Sequence, residues 1–315
     1  MSLGLGVSIA YNQVTSIQDP TAISDLVGWW DFTKIDSLRQ DRDGTGVVSA
    51  NNDPVEYALN LANGDVNGNI LGAFIRSVLA GSDYGGTFKT GGANGRTYIE
   101  FSNDGTDNSK GLRAGFFGED SNLDGGVAAD KFSDVVIDMQ NFTILQVMKH
   151  DDADIDTTND FSFSIVGYSN TTTTSLANLV CAKDRNTPDK FHTLYLGGGV
   201  SDIVEANGQL DINTHLVVSR SKNETNGFTL DIDGTTQTNT ETPDALLLKL
   251  DKSTGNSSGS AGVGIGGNVN SSNGAIVNSW EGRIYETIVY SRAITDAELA
   301  NLELYLGSKY GLTIS

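Results

Sequence analysis

Residues 3–11 alternate strictly, with Leu3, Leu5, Val7, Ile9 and Tyr11 at every second position and Ser2, Gly4, Gly6, Ser8 and Ala10 between them. A period of two puts every large side chain on one face of an extended strand and every small one on the other. Such a strand is suited to lying against another surface or adding to a sheet edge. The five large residues are therefore candidate partner-binding residues of a docking arm over residues 1–20. The plainer reading is that they form the first strand of the domain.

Beyond the arm, short apolar runs recur. ISDLVGWWDF (23–32), TYIEF (97–101), NFTILQVMKH (141–150), DFSFSIVGYS (160–169), KFHTLYLGG (190–198), THLVVSRSK (214–222), GFTLDIDG (227–234), VGIGGNV (263–269) and GRIYETIVYS (282–291) all read as strands. Each is rich in β-branched and aromatic residues and is bounded by Gly, Asn, Asp or Ser. A turn-rich stretch from about 36 to 95 contains DRDGTG, LANGDVNGN and GGANG, full of strong turn pairs. One helix is expected at the carboxyl end. Thr295 and Glu298 make a capping box, Leu299, Leu302, Leu306 and Tyr310 share a helical face, and Gly311 supplies the stop. Repeated strands with a single helix specify an all-β, two-sheet antiparallel sandwich of jelly-roll type over residues 21–315.

Composition agrees with this picture and narrows the partners. Among 315 residues, 40 are acidic and 20 basic, a net charge of −20, and 30 of the acids are Asp beside 27 Asn and 37 Gly. These residues form turns. The charge disfavours sequence-independent binding to nucleic acid or anionic membranes, and no apolar stretch is long enough for a membrane-spanning helix. Residues 1–20 contain no Lys or Arg and no continuous apolar core, so they do not read as a cleavable secretion leader.

The last hundred residues resemble the concanavalin A-like lectin/glucanase superfamily, in its laminin-G-like branch. THLVVSRS followed by GFTLDIDG, with its Asp233-Gly234 turn, then VGIGGN, then WEGRIYETIVYSRAITDAELANLELYLGSKYGL carry the resemblance in order. LVGWWDF and DPVEYAL extend it weakly towards residue 21. The resemblance implies the sandwich fold, and it implies a lectin, a glycanase or a structural module without choosing between them.

Glycanases of this superfamily carry Glu-x-Asp-x-Glu on one strand, because glycoside hydrolysis needs two carboxylates at a set separation. That motif is missing here. Asp231-Ile-Asp233 abuts a turn, Glu100 stands alone on its run, and Glu281 and Glu286 would face opposite sides of a regular strand. No catalytic residue is assigned. Asp41-x-Asp43 and Asp152-x-Asp154-x-Asp156 space oxygens as calcium loops do, but the second lacks the Gly and Glu of an EF-hand, and solvated loops are the simpler reading. Calcium is thus the one cofactor left open, and no metal ligand is assigned. For a sugar, Trp29, Trp30 and Trp280 are the candidate platforms, with Trp29 and Trp30 pointing opposite ways and one of them free to be exposed.

A lectin-like sandwich, no leader and an alternating arm together lead to the expectation of a non-enzymatic virion component, resembling bacteriophage capsid decoration or fibre proteins. It would dock on other virion proteins through its arm and display the sandwich at the virion surface, to stabilise the shell or to adhere to host glycans, with a homo-oligomer left open. The alternative expectation is a bacterial extracellular carbohydrate-binding module.

Overall fold

The structure, a computed structural model, describes residues 18–41, 44–62, 74–77, 85–101, 111–114, 136–138, 141–151, 161–163, 165–168, 181–184, 191–197, 200–206, 211–222, 228–237, 247–249, 262–269, 276–277 and 280–315. Among them lie many antiparallel strands and one α-helix, Asp296–Tyr310. Over the described residues the chain is an all-β sandwich with a single α-helix, at its C-terminal end.

A nine-stranded sheet forms the middle of the molecule. Its order is Thr235–Thr236, Phe228–Ile232, Thr214–Ser221, Phe142–His150, Gly282–Tyr290, Tyr98–Phe101, Gly86–Lys89 and Pro54–Val55, with Leu26–Asp31 also paired on Gly282–Tyr290. A six-stranded sheet runs Ile165–Tyr168, Gly262–Ile265, Leu112–Ala114, Phe74–Arg76, Tyr57–Leu59 and Leu38–Arg39. The turn-rich stretch at 36–95 therefore supplies the last three strands of this second sheet. These strands are only two or three residues long, too short for a period of two to show in the sequence.

The large sheet is buried on both faces. On one side Val27, Trp30, Phe142, Ile144, Met148, Val217, Leu230 and Ile284 meet Leu38, Ala58, Leu112 and Ile265 of the six-stranded sheet. On the other side Trp29, Leu145, Val147, Leu216, Val218, Tyr285, Ile288 and Tyr290 pack under Leu299, Leu302, Leu306 and Tyr310 of the helix. A strand covered on both faces needs apolar side chains at successive positions and loses its alternation. This is why ILQVM and RIYETIVY read as nearly continuous apolar runs.

The local signals at the chain's end hold as expected. Glu298 N–H donates to Thr295 Oγ1 at 3.2 Å, and Thr295 N–H donates to Glu298 Oε2 at 2.8 Å. The helix stops at Gly311 with φ +68°, and its N–H donates to the Gly307 carbonyl. Asp233 and Gly234 have φ +49° and +82°, the pair of positive angles that a two-residue hairpin turn of type I′ requires.

Candidate functional site

Two groups of charged residues occupy the sandwich, one on each side. The first lies under the helix. Asp31 and Glu286 are directly opposite one another on adjacent strands, and both are buried. Lys309 from the last helical turn places Nζ 2.7 Å from Asp31 Oδ2 and 2.7 Å from Glu286 Oε2. Tyr310 O–H donates to Glu286 Oε2 and Trp29 Nε1–H to Glu286 Oε1, each at 2.7 Å. Thr33 donates to Asp31 Oδ1 through both its N–H and its hydroxyl. Burial pushes the Glu286 carboxyl up, the Asp31 charge adds to this, and Lys309 opposes it.

A bulge explains how Glu286 reaches this face. Val147 pairs with Glu286 while Met148 pairs with Ile284, so Tyr285 is the extra residue, and Tyr285 and Glu286 both face the helix. The facing inferred from counting along a regular strand does not apply where one residue is inserted. With every carboxylate oxygen engaged and the helix laid over it, this acid pair ties the helix to the sheet.

The other carboxylates named from the sequence are separated from one another. Asp231 is buried on the helix side of its strand, where burial raises its carboxyl. Asp233 sits in the turn and accepts from His215 Nδ1 at 2.7 Å, while Asp211 accepts from His215 Nε2 at 2.9 Å. Burial opposes charging of His215, but its hydrogen bonds to Asp233 and Asp211 outweigh that and hold its pKa above the ordinary value. Glu100 is ion-paired with Lys89 at 3.0 Å.

The tryptophan expectation needs correction. Trp29 and Trp30 do point to opposite faces, yet they are 3% and 0% exposed, and Trp280 is 0% exposed. Because the large sheet is covered by the second sheet on one side and by the helix on the other, neither direction leads to solvent. Trp280 donates Nε1–H to the Lys149 carbonyl and meets His150 edge-on with ring centroids 5.0 Å apart.

The second charged group lies on the outer face of the six-stranded sheet, and sequence reasoning missed it. Leu38, Ala58, Leu112 and Ile265 point into the core. Strand alternation therefore assigns the neighbouring positions to the other face. They are Arg39, Tyr57, Leu59, Phe74, Arg76, Arg113, Gly262, Gly264, Val166 and Tyr168. Arg39, Tyr57 and Leu59 are half-buried, unlike the fully buried Leu38 and Ala58 beside them. The register then aligns Arg39 with Tyr57, Tyr57 with Arg76, Arg76 with Arg113, Arg113 with Gly264 and Gly264 with Val166. These six positions form one row across all six strands, roughly 24 Å long at ordinary strand spacing. The row holds three of the chain's nine arginines. The buried acid Glu56 lies beside this row, its N–H donating to the Arg39 carbonyl at 3.0 Å. Arg39 anchors one end, its Nη1 donating to the carbonyls of Asp36 and Leu38 at 2.6 and 2.7 Å. A signal for the row does exist in the sequence. Leu38-Arg39, Ile75-Arg76 and Leu112-Arg113 are each an apolar residue followed by Arg, as a strand with one face inward and one face polar requires.

Leu3, Leu5, Val7, Ile9 and Tyr11 of the arm lie outside the described residues, as do Asp43 and Asp152, Asp154 and Asp156 of the calcium-like clusters. Among the described residues no helix is long and apolar enough to cross a membrane.

No family model matches the chain, and no curated protein matches it. Among solved structures, it is similar to a Trypanosoma rangeli sialidase in complex with sialic acid, with 13% identity and a TM-score of 0.43 over 91% of this chain and 34% of that one. It is also similar to the CBM40 of a Ruminococcus gnavus IT-sialidase bound to α2,3-sialyllactose, with 11% identity and a TM-score of 0.42 over 65% of this chain and 95% of that one. A leech intramolecular trans-sialidase follows at 15% identity and a TM-score of 0.39, over 51% of this chain and 23% of that one. The chain thus spans about a third of the Trypanosoma enzyme's length. At these identities and scores the likenesses decide nothing about what the chain binds or does.

Proposed function

We propose that the chain is a non-enzymatic carbohydrate-binding module whose site is the outer face of the six-stranded sheet. One observation carries this reading: the cross-strand row that sets Tyr57 between Arg39 and Arg76 and continues through Arg113 to Gly264. Sugar recognition uses an aromatic surface against the apolar side of a ring together with a few directional polar groups. Tyr57 is the aromatic position of this face among the residues whose side chains are described, half-buried and directly opposite Arg39. Arg39 is the polar position beside it, and arginine's planar fork offers five donors in fixed geometry.

The non-enzymatic part rests on the acid pair. Among the described residues Asp31 and Glu286 stand directly opposite each other, and they are engaged by Lys309, Tyr310, Trp29 and Thr33 beneath the helix, while Asp211 and Asp233 are held by His215. The expectation of a virion component anchored by the arm over residues 1–20 gains nothing from the described residues, which begin at Gln18.

The test is a glycan array probed with the 315-residue chain and with Tyr57→Ala, followed by a reducing-end assay on every bound glycan. Binding that is lost in Tyr57→Ala, with no new reducing ends, is the expected result. A folded wild-type chain that binds nothing on the array overturns the binding reading, and release of reducing ends overturns the non-enzymatic one.

A further inference from the structure

We propose that Asp231 and Glu303 bind one proton between them across the seam where the helix meets the outer strands of the large sheet, and that this seam is held most firmly when the proton is bound.

The packing around the two acids places them together. Asp231 stands directly opposite Val218, and Val218 packs under Leu299, Leu302 and Leu306 of the helix. Arg220 fixes the start of the helix over the same strand, its Nη1 donating to Asp296 Oδ1 at 2.7 Å and to the Ile294 carbonyl at 3.2 Å. Ile314 then sets one flank of the helix. A Cβ built on Gly307 would lie 3.0 Å from Ile314, and one built on Gly234 would lie 2.7 Å from it. Glu303 is one turn before Gly307 on that flank, and Asp231 is three residues before Gly234 on the strand below. Glu303 enters the seam from the helix and Asp231 from the sheet.

The hydrogen-bond inventory of the seam calls for a proton. Asp231 is 3% exposed, and its Oδ1 has no hydrogen-bond partner. An ionised carboxylate only accepts, whereas a protonated one gains an O–H donor. A proton on Glu303 supplies the donor that Asp231 Oδ1 lacks. Two ionised carboxylates would instead meet where water is scarce, an arrangement that favours keeping one of them neutral. Burial, and after it the charge on Asp231, holds the Glu303 carboxyl above its ordinary value, while Arg220 opposes this.

The neighbouring charges leave the pair to itself. Arg220 and Lys222 both donate to Asp296 at the helix start, and Asp233 at the nearby turn is bonded to His215 at 2.7 Å. Leu312–Ser315, which follow the helix, bring no ionisable side chain. Beneath the other end of the helix, Lys309 lies 2.7 Å from both Asp31 and Glu286. At this seam the proton takes the place that Lys309 takes there.

The test is urea unfolding of the 315-residue chain and of Glu303→Gln from acid to neutral pH, with NMR titration of the Glu303 carboxyl in the natural chain and in Asp231→Asn. A raised carboxyl adds stability that is complete below its ordinary value, near 4.5, and is lost as pH rises through the folded one. Gln keeps a donor and cannot ionise. The stability gap between the two proteins is therefore expected to be constant in acid and to move in favour of Glu303→Gln above the ordinary value. The shift is about tenfold in the unfolding constant for each pH unit between the ordinary and folded values. The Glu303 titration is expected above the ordinary value, and to move down in Asp231→Asn. A gap that stays constant over the whole range overturns the proposal, as does a Glu303 titration that Asp231→Asn leaves unmoved. If Asp231→Asn does not fold, the Asp231 titration, read in the natural chain and in Glu303→Gln, gives the same comparison.

Discussion

Two like-charge pairs sit in register in this sandwich, one under the helix and one on the six-stranded sheet. Asp31 opposite Glu286 is closed off by the helix, and Lys309, Tyr310, Trp29 and Thr33 satisfy its oxygens. Arg76 opposite Arg113 lies on the outer face of a thinner sheet, in line with Arg39 and Tyr57. The first pair is a fastening: it fixes where the helix ends and is expensive to disturb. The second is a matter of strand register, with buried Glu56 one residue before Tyr57. Paired charges alone therefore do not mark a site.

The largest expected effect is at the fastening. Lys309→Met leaves two buried carboxylates without their cation, and breaking a buried ion pair by removing one partner costs about 3–5 kcal/mol. Urea denaturation measures this, and adding Asp31→Asn to Lys309→Met is expected to recover part of the loss because the repulsion then falls. If Lys309→Met were as stable as the natural chain, the acid pair would not be holding the helix, and its role would be open to reassignment. Next in size, Thr295→Ala removes the hydroxyl that accepts from Glu298 N–H and is expected to cost about 1 kcal/mol, measured in the same way.

A smaller effect depends on pH. His215 has its pKa raised by Asp233 and Asp211 against the opposing effect of burial. A raised folded value adds stability that is complete below the unfolded value of about 6.5 and is lost as pH rises through the folded one. The melting midpoint of the natural chain is thus expected to fall over that interval, and His215→Gln is expected to flatten the profile there. At the acid end Glu298 works in the other direction. Its hydrogen bonds to Arg292 lower its pKa to about 2, so its contribution is present above its ordinary value near 4.5 and fades as pH falls towards 2. A Glu298→Gln chain whose acid limb matches the natural one contradicts this.

The smallest effect on stability is expected at the arginine row. Arg39→Gln is a change on a half-buried surface position and should alter stability by no more than about 0.5 kcal/mol. A large loss there would mean that the row, like the acid pair, belongs to the fold.

The sequence carried the strands whose pattern is long enough to read. Phe142–His150, Thr214–Ser221 and Gly282–Tyr290 fall within the expected runs, and the helix shows its capping box and its Leu299, Leu302, Leu306 and Tyr310 face. The sandwich followed from these. Its helix-covered layer was less evident, since an apolar run does not say how many faces are buried, and this is why an exposed tryptophan was expected where none of the three is exposed. The acid pair was hidden for two reasons. Asp31 and Glu286 come together only through long-range strand pairing, and the bulge at Tyr285 breaks the counting rule that would place Glu286. The arginine row was hidden by short strands in a turn-rich region. Arg39, Arg76 and Arg113 lie at even steps of 37 residues, yet nothing local says that their strands are neighbours. Each sits behind an apolar residue, and only the register turns three such dipeptides into one surface.

Hydrogen exchange of the 315-residue chain, with and without a glycan that it binds on the array, tests the division between the two regions most directly. The expected result is added protection in the strands Tyr57–Leu59, Phe74–Arg76 and Leu112–Ala114, with Glu286 to Tyr290 and the helix Asp296–Tyr310 unchanged. Protection confined to the helix and the Gly282–Tyr290 strand, with the six-stranded sheet unaffected, would place the ligand on the wrong side of the sandwich and contradict the account.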